Sequence, residues 1–184
     1  MGQYTKPAKV KLIVGIIGKN PGIVQKTRNL LREEYGTEEE TMACIPFTWT
    51  DYYAGEVGPD PVRCFVSFEE LIQREAIVGI KRTTNKLEDS LRQQGKRPAN
   101  IDPGYLTLGQ FFLVSTKDQR QRVYLGKGIF AEPSLFFKNG KFHPFEWTYW
   151  DYRSEDYHVF FMSARSKLAY QLRHGRPYSR RNDP

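Results

Sequence analysis

A chain of 184 residues is most simply one domain, long enough to bury a core without disulfides or a structural metal. A charged fraction of 27% argues against wholesale disorder, and a net charge of +7 favours anionic partners such as nucleotides or nucleic acid. Two cysteines with no C-x-x-C pair, and no apolar stretch near the ~20 residues of a membrane span, set aside a disulfide scaffold, a zinc ribbon and a membrane protein.

Residues 1–8 lack the apolar core of a signal sequence and read as a flexible N-terminus, so a cytoplasmic, reducing setting is expected. One domain then spans 9–174. Val10 to Ile17 is an apolar run suited to a strand buried on both faces. Asn20-Pro21-Gly22 opens a helix to Tyr35, with Asn20 as N-cap and Pro21 at the first helical position. Thr41 to Trp49 is β-like, with Pro46 marking an edge or a bulge. Val62 to Phe68 alternates as a strand does, and Glu69 to Gln94 reads as a helix in two pieces.

Asp102 reads as a strand start before Pro103-Gly104, and one long strand is expected over Leu106 to Thr116. Further strands are expected over Arg122–Leu125 and Gly128–Phe137, then a hairpin at Asn139-Gly140 and a return strand over Phe142–Trp147. Ser154 opens a last helix, Glu155 to Arg173, before a basic tail over 175–184 that includes Arg176, Arg180 and Arg181. The order is β-α-β-β-α-β, the ferredoxin-like arrangement. The expected fold is α+β: a mostly antiparallel sheet, extended by a C-terminal hairpin and a final helix, with the helices on one face.

Common motifs fail by inspection. Phe65-Val66-Ser67-Phe68 matches half of an RNA-recognition signature, but Pro61 to Cys64 does not supply the rest. Gly15 to Asn20 has the wrong spacing for a phosphate loop, and lacks Ser or Thr after Lys19. Asn85-Lys86-Leu87-Glu88 ends in Glu where a guanine-reading motif needs Asp. His143, His158 and His174 lack metal-pair spacing, and no nucleophile elbow is present.

What remains is an acid and base set between Asn100 and Glu132. Asp102, Asp118 and Glu132 are the candidate catalytic carboxylates; if they converge they can hold Mg²⁺ or Mn²⁺ through oxygen. Arg63, Lys117, Lys127, Tyr105 and Asp51 are the candidate ligand-binding residues, the cations for a phosphate. Taken singly, the aspartates also suit turns and Glu132 a cross-strand ion pair. Trp49-Thr50-Asp51-Tyr52 and Tyr149-Trp150-Asp151-Tyr152 echo one another, an echo that chance accounts for better than duplication.

Several strings resemble an uncharacterised bacterial family, catalogued as domain of unknown function 4416, over about Lys9 to Leu172. They are Thr50-Asp51-Tyr52-Tyr53, Arg63 to Phe68, Asn100 to Leu106, Thr116-Lys117-Asp118, Tyr124 to Glu132, and Trp147-Thr148-Tyr149 with Asp151-Tyr152-Arg153. The resemblance implies no activity. The residues themselves lead to two expectations. One is a binder of a phosphate ligand, a nucleotide or nucleic acid, with metal-assisted phosphoryl or nucleotidyl chemistry as an extension. The other is a non-catalytic protein-interaction module built on the rings around Trp49 and Trp150.

Overall fold

The computed structural model describes residues 2–178. Arg180 and Arg181 of the expected basic tail lie outside them. Among the described residues the chain is α+β, with nine strands in one sheet and three α-helices. In chain order these are β1 (Val10–Gly18), α1 (Pro21–Tyr35), β2 (Glu38–Thr41), β3 (Ile45–Pro46), β4 (Val62–Ile72), α2 (Ile77–Ser90), β5 (Ala99–Leu106), β6 (Gln110–Ser115), β7 (Val123–Gly126), β8 (Ile129–Lys138), β9 (Lys141–Pro144) and α3 (Glu155–His174). The strands lie side by side as β2-β4-β1-β5-β6-β8-β7, with β3 also on β4 and β9 also on β8. No helix among the described residues is long and apolar enough to cross a membrane.

β1 is the centre, antiparallel to both β4 and β5 and buried along its whole length. Its alternation sorts two cores. Leu12, Val14 and Ile16 pack with Val24 and Leu31 of α1 and Ile77 and Ile80 of α2. Ile13 on the other face joins Phe65, Phe111, Leu135 and the α3 residues Tyr157, Phe160, Phe161 and Leu168. Each such buried side chain contributes about 1.5–3 kcal/mol over its exposed state. The helices therefore cover both faces, not one as expected: both sides of β1 and β4 are apolar, and each needs a lid.

The sequence boundaries of α1 hold, with the Asn20 side chain accepting the Ile23 N–H at 3.0 Å. Other boundaries need correction: β3 keeps only Ile45–Pro46 of the run Thr41–Trp49, and the return strand β9 ends at Pro144. The long strand expected over Leu106–Thr116 is a hairpin, because the Thr107 hydroxyl accepts the N–H groups of Gly109 and Gln110 and turns the chain inside an apolar run. β5 thus begins at Ala99, and Asp102, expected at a strand start, lies inside that strand with Pro103 and Gly104. The helix expected from Glu69 starts at Ile77, since Leu71 and Ile72 continue β4 against Lys11 and Val10. The Ser154 hydroxyl makes no bond to the first turn of α3. Part of the C-terminal positive charge fastens α3: Arg165 lies 3.5 Å from the Phe137 ring centre, and Lys167 pairs with Glu40 at 2.6 Å.

Candidate functional site

β5 and β6 run together for only three pairs, Gly104–Leu106 against Leu113–Phe111, and then part. Local chemistry sets both the closeness and the parting. A Cβ on Gly104 would stand 2.3 Å from the Phe112 carbonyl oxygen, so only glycine allows the strands to meet there. Pro103, the next residue toward the opening, has no N–H to continue a ladder.

The wedge beyond Pro103 is a cavity of about 650 Å³, within the range of small-molecule sites. Asn100 and Asp102 of β5 form one side; Leu113 to Ser115 of β6, with Thr116 and Lys117, form the other. Lys81, Asn85 and Glu88 of α2 reach it from one face of the sheet. Two 3-10 turns, Asp51–Tyr53 and Trp150–Arg153, contribute Tyr52, Tyr53, Trp150 and Tyr152.

At its centre Asp102 stands between two cations from different elements. Arg63 Nη1 is 3.7 Å from one carboxylate oxygen and Lys81 Nζ 3.7 Å from the other. Both distances exceed a direct hydrogen bond. The closest partner of Asp102 is the Asn100 amide, donating at 2.6 Å. Arg63 is 3% exposed and donates to the Tyr152 hydroxyl at 3.1 Å, while its Nε has no hydrogen-bond partner among the described residues. Burial opposes its charge, but Tyr152, Tyr157, Asp151 and Asp102 together hold the guanidinium charged. The guanidinium occupies the space left by Gly15, where a Cβ would stand 2.5 Å from Nη2.

Around this centre other polar groups are tied down. Glu88 accepts the Ile101 N–H at 2.7 Å and pairs with Arg97 at 2.6 Å. Burial nevertheless raises its pKa above the usual carboxylate range, with Lys81 pulling the other way. Burial also raises Asp151, against the pull of Arg63 and of the Tyr157 hydroxyl, which donates to it at 3.3 Å. Lys117 forms no ion pair among the described residues; its Nζ donates to the Tyr52 hydroxyl at 2.9 Å and lies 4.3 Å from that ring centre.

The structure gathers Arg63, Lys117 and Asp102 at the cavity. Glu132 is 1% exposed on β8, where it accepts from Arg122 at 3.2 Å and Gln121 at 2.7 Å. Arg122 in turn donates to the Ser115 hydroxyl and the Lys117 carbonyl, so Glu132 shapes the cavity rim through Arg122. Asp118 is exposed on the loop after Lys117, and Lys127 is exposed at the β7–β8 turn. Tyr105 stacks on Phe112 at 4.9 Å and packs against the core under α1 and α2. Asp51 is exposed at the head of its turn, whose neighbours Thr50, Tyr52 and Tyr53 face the cavity. Among the described residues, no three His, Cys, Asp or Glu are grouped to hold a metal ion.

Sequence reasoning missed Lys81, Asn85 and Glu88 as a set. Their spacing places them on one helix face, but a solvated stripe has the same spacing. Arg122 was missed as a site residue too, and Asp151, weighed with Asp51 as an acid among rings, was not kept as a candidate. The Asp-Tyr echo was the available signal, for both copies form 3-10 turns at the same cavity.

No curated protein and no solved structure matches the chain. One family model does match, over residues 8–168. Those residues include every strand, α1 and α2, and the cavity just described; the chain belongs to the domain of unknown function family DUF4416.

Proposed function

We propose that the chain binds a small anionic ligand carrying a flat ring, of the nucleotide class, in the wedge between β5 and β6. The observation that carries this reading is that one cavity unites Arg63, Lys81 and Lys117 with the rings of Tyr52, Tyr149 and Trp150. Cations there meet a phosphate, and rings at the rim meet a base. Asp102 fits as a stand-in anion, because its two 3.7 Å ion pairs are long enough for both cations to turn to an incoming phosphate.

The reading is one of binding. Asp102 faces two cations, and Glu132 is taken up by Arg122 and Gln121. Metal-assisted phosphoryl transfer through Mg²⁺ or Mn²⁺ therefore lacks a free carboxylate pair to start from. A cytoplasmic site suits this ligand class and the two free thiols. The antiparallel neighbours β5-β1-β4-β2, with α1 and α2 covering one face, support a ferredoxin-like origin for the N-terminal half.

Isothermal titration and thermal shift with nucleoside mono-, di- and triphosphates and inorganic phosphate test the proposal. A nucleotide should raise the midpoint, and Lys117→Ala and Tyr52→Ala should each weaken binding about tenfold, or ~1.4 kcal/mol. No shift with any of these at millimolar concentration would sink it. A second reading rests on Trp150 (70% exposed), Tyr52 and Trp49, whose rings stand out at the cavity mouth as a protein-interaction surface does. That reading is favoured if no nucleotide binds and Trp150→Ala abolishes capture of a protein partner.

A further inference from the structure

The chain has two cysteines; Cys64 is buried and Cys44 is exposed. Cys44 is the residue before β3, the short edge strand whose Ile45 and Pro46 pair with Arg63 and Val62 of β4. Extending that antiparallel register by one residue sets Cys44 directly across from Cys64. Opposed residues of antiparallel strands have Cα atoms about 4.5–5.5 Å apart, inside the roughly 4.4–6.8 Å that a disulfide spans. The Cys44 thiol lies close enough to Cys64 to act on its ionisation. Arg28 of α1 lies near both sulfurs.

From this register and this pairing of an exposed with a buried thiol, we infer that Cys44 and Cys64 form a reversible cross-strand disulfide with small disulfides of the glutathione class. The Cys44 thiolate, the accessible one, attacks a sulfur of oxidised glutathione. A Cys44–glutathione bond forms, the glutathione S–S bond breaks, and one glutathione thiolate leaves. Cys64 loses its proton and attacks the Cys44 sulfur, forming Cys44–Cys64 and expelling the second thiolate. The protein loses two electrons and two protons; the oxidised glutathione gains both and departs as two thiols.

Burial pushes the Cys64 thiol up to about 12, so the second attack is the slow step and speeds up with pH. The bond would tie β4, which carries Arg63, to the segment running from Ile45 into the aromatic turn at Tyr53. Edge strand and cavity wall would then move together.

The test uses the full chain, equilibrated in oxidised and reduced glutathione mixtures, then alkylated and weighed. The expected product is a monomer lighter by two hydrogens, with no alkylated cysteine and a cross-linked Cys44–Cys64 peptide. Excess dithiothreitol should restore two alkylatable thiols. In Cys44→Ser the folded chain should leave Cys64 unmodified, whereas in Cys64→Ser the Cys44–glutathione adduct should accumulate. Two results would overturn the inference: wild type stopping at the Cys44–glutathione adduct with Cys64 still free, or oxidising only into Cys44-linked dimers.

Discussion

Two buried cations on the same sheet meet opposite fates. Lys11 of β1 is fully buried; its Nζ pairs with Glu39 and donates to the Phe68 carbonyl at 3.1 Å. Arg63 of β4 is nearly as buried, yet its carboxylate stands 3.7 Å away and its Nε has no hydrogen-bond partner among the described residues. Burial lowers the pKa of Lys11, and Glu39 opposes that shift at contact distance. A charge held so closely is part of the packing. A buried charge with no carboxylate at contact distance costs stability unless something else completes it, which is why Arg63, and not Lys11, marks a site.

The sharpest way to break this contrast is to remove the closed pair. Lys11→Ala should cost about 3–5 kcal/mol in urea unfolding, because Glu39 is left buried and alone. Replacing Lys11 and Glu39 together with Met should recover most of that loss, and ligand binding should not change in the double variant. A cost for Lys11→Ala below about 1 kcal/mol, the worth of an exposed pair, would show that the two regions do not differ as argued.

Next in size is Gly15→Ala, whose new Cβ would stand 2.5 Å from Arg63 Nη2 and 2.8 Å from the Phe65 ring. We expect a loss of about 1–3 kcal/mol together with weaker nucleotide binding, since the guanidinium must leave its seat. Asp102→Asn should do the reverse. Its long, partly exposed pairs contribute about 1 kcal/mol or less to stability. Loss of the carboxylate should nevertheless tighten binding of a phosphate ligand several-fold in titration calorimetry.

The smallest effect is a pH dependence. Burial raises the pKa of Asp151, so the native state holds its proton more firmly than the unfolded chain. That contribution to stability is present in acid and is lost as pH rises from about 4 through the native value. Asp151→Asn lacks a group that titrates, so the difference between wild type and variant should decline over that interval. A flat difference would mean that Arg63 offsets the burial of Asp151 completely.

Much of the frame was legible in the chain. Asn20-Pro21 fixed a helix start, the run from Val10 to Ile17 a central strand, and Asn139-Gly140 a hairpin. These are local signals, complete within a few residues. The strand break at Thr107 was not legible, because a hydroxyl bond turns the chain without glycine-proline punctuation at its start. The site was half legible for the same reason. Arg63, Asp102 and Lys117 stood out as charges beside strand-like runs. Lys81 and Glu88 became site residues only because α2 crosses the parted strands. Glu132, the charge least ordinary in sequence, proved to be the counter-ion that aims Arg122.

The parting of β5 from β6 has a mechanical consequence. Two rows of strands, β2 to β5 and β6 to β9, are joined along one short seam at Gly104–Leu106 and by the turn at Thr107–Gly109. A change in the angle between the rows bends that seam and shifts the core that both rows share under α3, but leaves every other ladder intact. The size of whatever occupies the gap would then set the angle, as a wedge sets a hinge. Amide exchange along Ser115 and Asn100, on opposite leaves, should slow together when the gap is filled.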